Sequence, residues 1–164
     1  MPKFKMGVTL DPYKINRTAR MADGPGATNL LGKADNGKFL KLVGDSQYGL
    51  CAVGNEIEAV LAVADDIAPQ DGYTLGSYKN DIGDRQMVTF DGLQATPGTG
   101  VIAIGDYVVA GTVTARGTEL GGVFPRPKVC KATAAASGLV FKWRVVAMDG
   151  TGAVGQTGLI ERVA

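Results

Sequence analysis

Short runs of alternating apolar and polar residues recur from Lys38 onward, each closed by a turn signal. Phe39-Leu40-Lys41-Leu42-Val43 runs into Gly44-Asp45. From Glu56 to Val63, Ile57, Ala59, Leu61 and Val63 share a face, with Glu56 and Glu58 opposite. Tyr73-Thr74-Leu75-Gly76-Ser77-Tyr78 follows Asp71-Gly72, and Arg85–Phe90 precedes a turn at Asp91-Gly92. Val101–Ala110 is apolar on both faces apart from Asp106 and reads as a buried strand, with a bulge or bend at Gly105. Leu139, Phe141, Trp143 and Val145 alternate with Lys142 and Arg144, the pattern of a half-buried strand. Asp149-Gly150 turns the chain toward a last strand near 159–163. Strands this short, spaced by about 8–15 residues with Gly-rich turns, predict an all-β fold, a compact sandwich or barrel. Ala59–Asp66 also admits one helical turn, and Ala132–Ala136 a helical turn or a small-residue loop. No internal repeat stands out.

Residues 1–37 follow a different pattern. Met6, Val8 and Leu10 alternate briefly, then Asp11-Pro12 and Asp23-Gly24-Pro25-Gly26 break helix and strand alike. A long irregular segment is unexpected inside a compact domain, but natural for an arm that gains order on a partner. The expected organisation is an extended N-terminal arm, 1–37, and a β-rich domain, 38–164.

Composition narrows the chemistry. The chain has 164 residues, 24 of them Gly, and no His. Lack of His excludes Ser-His-Asp, Cys-His and HExxH mechanisms within this chain and removes the commonest metal ligand. Seventeen basic and sixteen acidic side chains leave a net charge of +1, no overall field for nucleic acid or anionic lipid. Cys51 and Cys130 have no zinc-type spacing and read as two buried free thiols. Met1–Met6 lacks a continuous apolar run, and no stretch approaches the roughly 18 apolar residues of a membrane span. The expectation is a protein made in a reducing cytoplasm, with no cofactor and no metal.

Three motifs carry possible chemistry, and each has a plainer reading. Gly150-Thr151-Gly152-Ala153-Val154-Gly155 fits GxGxxG but has no room for the βαβ unit that a dinucleotide site needs, so a hairpin loop is expected. Gly32–Lys38 fits GxxxxGK, but Phe39 stands where a phosphate loop needs Ser or Thr, so Asn36-Gly37 reads as a tight turn before a strand. The acidic pairs Asp65-Asp66 and Asp81/Asp84 lack calcium-loop spacing and read as solvated loops. Trp143, the only Trp, reads as core.

The segments Lys38–Val43, Cys51–Val60, Asp71–Gly76, Met87–Gly92 and Ile104–Val109, taken in order, resemble the small capsid decoration, or cement, proteins of tailed bacteriophages. The likeness spans about residues 38–115. It implies a non-enzymatic virion protein on the capsid exterior, present in the host cytoplasm during assembly. Such a protein binds the major capsid protein and itself, as a dimer or trimer, and clamps neighbouring subunits. No nucleic acid, membrane or small-molecule substrate is implied, and no binding residue carries over by motif. From the composition of the arm, Phe4, Met6, Val8, Leu10, Tyr13 and Ile15 are the expected apolar anchors. Lys14, Arg17 and Arg20 are the expected partners of acidic capsid surface. Self-association is expected through Val101–Ala110. The alternatives are a tail- or fibre-associated module, or a carbohydrate-binding sandwich with Tyr73, Tyr78 and Trp143 as platform. A small carboxylate enzyme would use two of Asp65, Asp66, Asp81 and Asp84.

Overall fold

The computed structural model describes residues 17–21, 31–32, 35–44, 47–64, 74–113 and 126–164. The strands among them are β1 (Arg17–Met21), β2 (Phe39–Gly44), β3 (Gln47–Leu50), β4 (Ala59–Ala64), β5 (Thr74–Lys79), β6 (Arg85–Leu93), β7 (Thr96–Pro97), β8 (Tyr107–Ala110), β9 (Lys128–Lys131), β10 (Trp143–Met148) and β11 (Thr157–Arg162). One turn of 3-10 helix spans Ala136–Gly138. The fold is all-β, and of the two expected forms the strands adopt the barrel, twice over. In the first ring the order is β1-β3-β2-β4-β5, with β5 pairing back onto β1. In the second it is β6-β9-β8-β10-β11, with β11 pairing back onto β6 and β7 folded beside the end of β6.

The two rings share one plan. In each, the first strand runs parallel to the third and antiparallel to the last. The register agrees as well. Leu61 opposes Tyr78, and Val145 opposes Ile160. A one-residue bulge then follows in both, before Val63 opposes Ser77 and Ala147 opposes Leu159. Carried around the ring, this alignment holds at every strand pair. Gly76 opposes Ala19 as Gly158 opposes Val88. Met21 pairs with Tyr48 as Phe90 pairs with Val129. Leu40 pairs with Leu50 and Ala59 as Val108 pairs with Lys131 and Trp143. The expectation of no internal repeat is therefore corrected.

Even the turn that enters the second strand is duplicated. Gly37 N–H donates to Leu61 O (2.8 Å) and Leu61 N–H to Lys38 O (2.9 Å). In the other barrel, Gly105 N–H donates to Val145 O (2.8 Å) and Val145 N–H to Asp106 O (3.0 Å). Gly37 and Gly105 have φ of 83° and 91°, a left-handed conformation that side chains disfavour. That is the physical reason glycine occupies both places.

Seven equivalent positions are buried in both barrels. The equivalent pairs are Ala19 and Val88, Met21 and Phe90, Leu40 and Val108, Tyr48 and Val129, Ala59 and Trp143, Leu61 and Val145, and Tyr78 and Ile160, all buried. Size is redistributed within the set. The first barrel is filled by Tyr48 and Tyr78, whose ring centroids lie 4.5 Å apart. The second has Val129 and Ile160 there, and fills the space with Phe90 and Trp143. Interiors pack at near-crystalline density, so a duplicated core can exchange volumes between positions only if the total fits.

Several local expectations change. The possible helical turn at Ala59–Asp66 is corrected where it is described, because Ala59–Ala64 pairs on both sides as β4. The strand expected over Val101–Ala110 is confined to Tyr107–Ala110; Ile104 and Gly105 form a bend, and Ile104 is 63% exposed. Asp91-Gly92 does not end its strand. β6 runs on to Leu93, with register shifts against β9 around Gly92. Part of the expected arm, Arg17–Met21, is a barrel strand held by β3 and β5. Leu31 is buried in the first core, and Asp35 and Lys38 form a buried ion pair of 2.8 Å.

Candidate functional site

The segment 51–58 joins the two barrels. It was expected to be strand from Glu56 onward, but strand begins only at Ala59. Gly54 N–H donates to Ala110 O (2.8 Å), and Ala110 N–H to Asn55 O (2.9 Å). Glu56 Oε2 accepts the backbone N–H groups of Val140 (2.9 Å) and Phe141 (2.8 Å). Trp143 Nε1–H donates to Ile57 O (2.8 Å). Arg162 Nη1 donates to Glu58 O (2.7 Å), and its guanidinium lies 5.2 Å from the centre of the Phe141 ring. Glu58 is also tied to its own barrel, its carboxylate accepting Leu42 N–H (2.9 Å) and the Tyr48 hydroxyl (3.2 Å). Phe39, Cys51, Ile57 and Val60 of the first barrel are buried with the second barrel's core. Apolar burial and hydrogen bonds from both barrels hold this joint together, while Arg162 Nε is buried there without a hydrogen-bond partner.

The sequence-derived candidates fall in different places. Phe4, Met6, Val8, Leu10, Tyr13, Lys14 and Ile15 lie outside the described residues, as do Asp65, Asp66 and Tyr73. Arg17 and Arg20 sit in β1, opposite Tyr78 and Leu75 respectively. The remaining acidic pair is structural. Asp84 is buried, its Oδ2 accepts Asp81 N–H (2.8 Å), and its carbonyl accepts Arg162 N–H (2.9 Å). Trp143 is 0% exposed and Tyr78 is buried, so neither offers a face to a sugar ring. Asp91, which had read as a turn residue, is buried within β6. Its Oδ2 accepts both the N–H and the hydroxyl of Thr112 (2.7 and 2.5 Å).

The two glycine motifs take their plainer forms. Residues 150–155 lie in the hairpin loop between β10 and β11, and Asn36-Gly37 is the turn before β2. A shallow cleft between the barrels is lined by Lys38, Phe39 and Cys51 on one side and Ala110, Thr112 and Lys128 on the other. Its enclosed space is about 20 Å³, room for about one water and far below the roughly 300–1,000 Å³ of small-molecule sites. Among the described residues no group of three or more His, Cys, Asp or Glu side chains is placed to hold a metal. On the second barrel Val101 is 56%, Ile104 63% and Val154 41% exposed, with Val101 bridged to Ala153.

Both cysteines are free and buried. Burial pushes the Cys51 thiol up to about 12, and burial followed by the nearby Asp91 carboxylate pushes Cys130 up to about 11. Thiolate is the reactive form, so neither thiol is expected to react with a disulfide reagent in the native protein at neutral pH. Both are expected to react once the chain is denatured. A raised folded pKa also fixes the sign of the linkage: this contribution to stability is full below about 9, the ordinary thiol value, and is lost as pH rises through 11 to 12. Fast native modification in a reagent titration would contradict the burial.

No family model, curated protein or solved structure matches the chain.

Proposed function

We propose that this chain is a non-enzymatic structural virion protein. It binds the outer surface of the major capsid lattice of a tailed phage and cements neighbouring capsid subunits. The reading rests on the ordered resemblance of segments across residues 38–115; of these, the described residues include those of β2, the joint, β5 from Thr74, β6 and the bend into β8. The architecture suits the role. Both rings close on themselves, so among the described strands the two-residue β7 is the one at a sheet edge. Partner contact then runs through exposed loops and through the residues before β1. A clamp on a shell under internal pressure gains from barrels held to one another, and the joint links them through hydrogen bonds and shared burial.

Because β1 belongs to the barrel, the contact role of the N-terminal segment is tested by deleting residues 1–16 and no more. The expected result is loss of binding to expanded empty capsids, with the thermal transition of the barrels unchanged. Undiminished binding would remove the segment from the contact. Self-association is assigned to the apolar rim of Val101, Ile104 and Val154. Sedimentation equilibrium is expected to show dimers or trimers, and Ile104→Asp to shift them to monomer. A wild-type protein that stays strictly monomeric at high concentration contradicts this part.

A further inference from the structure

Asn36-Gly37 is the only Asn-Gly step in the chain. Such a step is chemically labile when flexible, because glycine has no side chain to hinder attack by its own backbone nitrogen. In that reaction the Gly37 nitrogen gives up its proton and bonds to Asn36 Cγ. The Cγ–Nδ2 bond breaks, and ammonia leaves with that proton. Water then opens the cyclic imide at either carbonyl and leaves aspartate or isoaspartate.

In the folded chain the attacking nitrogen is engaged. Gly37 N–H donates to Leu61 O (2.8 Å), which ties the turn to β4. Lys38 N–H donates to Asp35 O (3.0 Å) and closes the turn, and the buried ion pair of Asp35 with Lys38 (2.8 Å) spans the same four residues. Leu61 N–H donates back to Lys38 O (2.9 Å), and the Leu61 side chain is buried in the first core. Attack therefore requires the Gly37–Leu61 bond to break and the turn to leave β4, a local opening of the first barrel.

The duplicate turn is built without a labile amide. Asp106 N–H donates to Ala103 O (3.1 Å) as Lys38 N–H does to Asp35 O, and Gly105 repeats Gly37, but Ile104 stands in the place of Asn36. The backbone of this turn thus does not itself call for Asn. We propose that Asn36 is a spontaneous deamidation site gated by the first barrel, held unreactive while the turn is bound to β4 and released when it opens. Isoaspartate carries the main chain through the former side-chain carbon. The lengthened turn no longer fits between Asp35 and Lys38, so the change marks an opening irreversibly.

The test incubates the full chain at mildly alkaline pH, folded and in denaturant, and follows each Asn by peptide mapping with mass spectrometry. The expected result is reaction at Asn36 in denaturant and a rate at least about tenfold lower in the folded chain, since only the open fraction reacts. Urea too dilute to unfold the chain is expected to raise the folded-state rate. Equal rates in the two states, a folded-state rate indifferent to urea, or no reaction at Asn36 in denaturant overturns the proposal.

Discussion

Trp143→Ala is expected to lower the stability of the protein by about 3–5 kcal/mol, the usual cost of emptying a large buried aromatic site. Trp143 is fully buried in the second barrel, and its indole N–H reaches across the joint to Ile57 O. The truncation therefore opens a cavity and leaves a buried carbonyl without its donor. Trp143→Phe separates the two effects: most of the ring volume remains, and the unpaired carbonyl costs about 1–3 kcal/mol. Because the first barrel has Ala at the equivalent position, Ala59→Trp is the informative reverse. Tyr48 and Tyr78 already fill that interior, so overpacking is expected to destabilise it by about 1–3 kcal/mol. Denaturant unfolding with intrinsic fluorescence and circular dichroism measures all three. A Trp143→Ala protein within about 1 kcal/mol of wild type would contradict the core assignment.

Gly152→Ala is expected to be as damaging, for a backbone reason. Gly152 has φ of 81°, and a Cβ there would lie 1.8 Å from Ile102 O. Gly152 O in turn accepts Ile102 N–H at 3.0 Å, so the two backbones touch and neither yields easily. Ile102 is fully buried, and moving it disturbs the second core. A loss above about 4 kcal/mol is expected, in the range reserved for such steric failures. Gly155 supplies the control. Its φ is 85°, but nothing lies within 4 Å of a Cβ built there. Gly155→Ala is expected to cost only the left-handed backbone penalty, about 1–2 kcal/mol. A nucleotide-binding loop would show neither this contrast nor its independence from added nucleotide. Equal thermal shifts for the two variants would contradict the close approach at Ile102.

Much of the β architecture is legible in the sequence because alternation reports burial directly. Trp143 and Val145 are buried with Arg144 exposed between them, as their spacing predicts. Turns announced by Asn36-Gly37 and Asp149-Gly150 fall where glycine is needed. The duplication is not legible, for two reasons. Buried positions keep their character but not their identity, as Ala59 and Trp143 illustrate. The connections also differ, residues 45–46 joining β2 to β3 where residues 111–127 join β8 to β9, so equivalents recur at no fixed period. Among the aligned strand positions Gly76 and Gly158 are the one identical pair. Gly158 is held by contact, since a Cβ there would lie 2.3 Å from the Phe90 ring.

The joint was missed for a related reason. Glu56 and Glu58 alternate with Ile57 and Ala59 as a strand would, and alternation cannot tell a strand from an extended segment docked on a neighbour. What distinguishes them is the partner of each backbone group, here Val140, Phe141, Trp143 and Arg162, far along the chain. The N-terminal boundary failed similarly. Arg17–Met21 has no strong strand pattern of its own, and its place in the first ring is fixed by β3 and β5.

The most direct test of the account is co-sedimentation of the full chain with expanded empty capsids of the phage that encodes it, at physiological salt and rising protein concentration. Saturable recovery in the capsid pellet at a fixed copy number is expected of a cement protein. A chain that stays in the supernatant at every concentration, beside capsids shown to be intact and expanded, would contradict it.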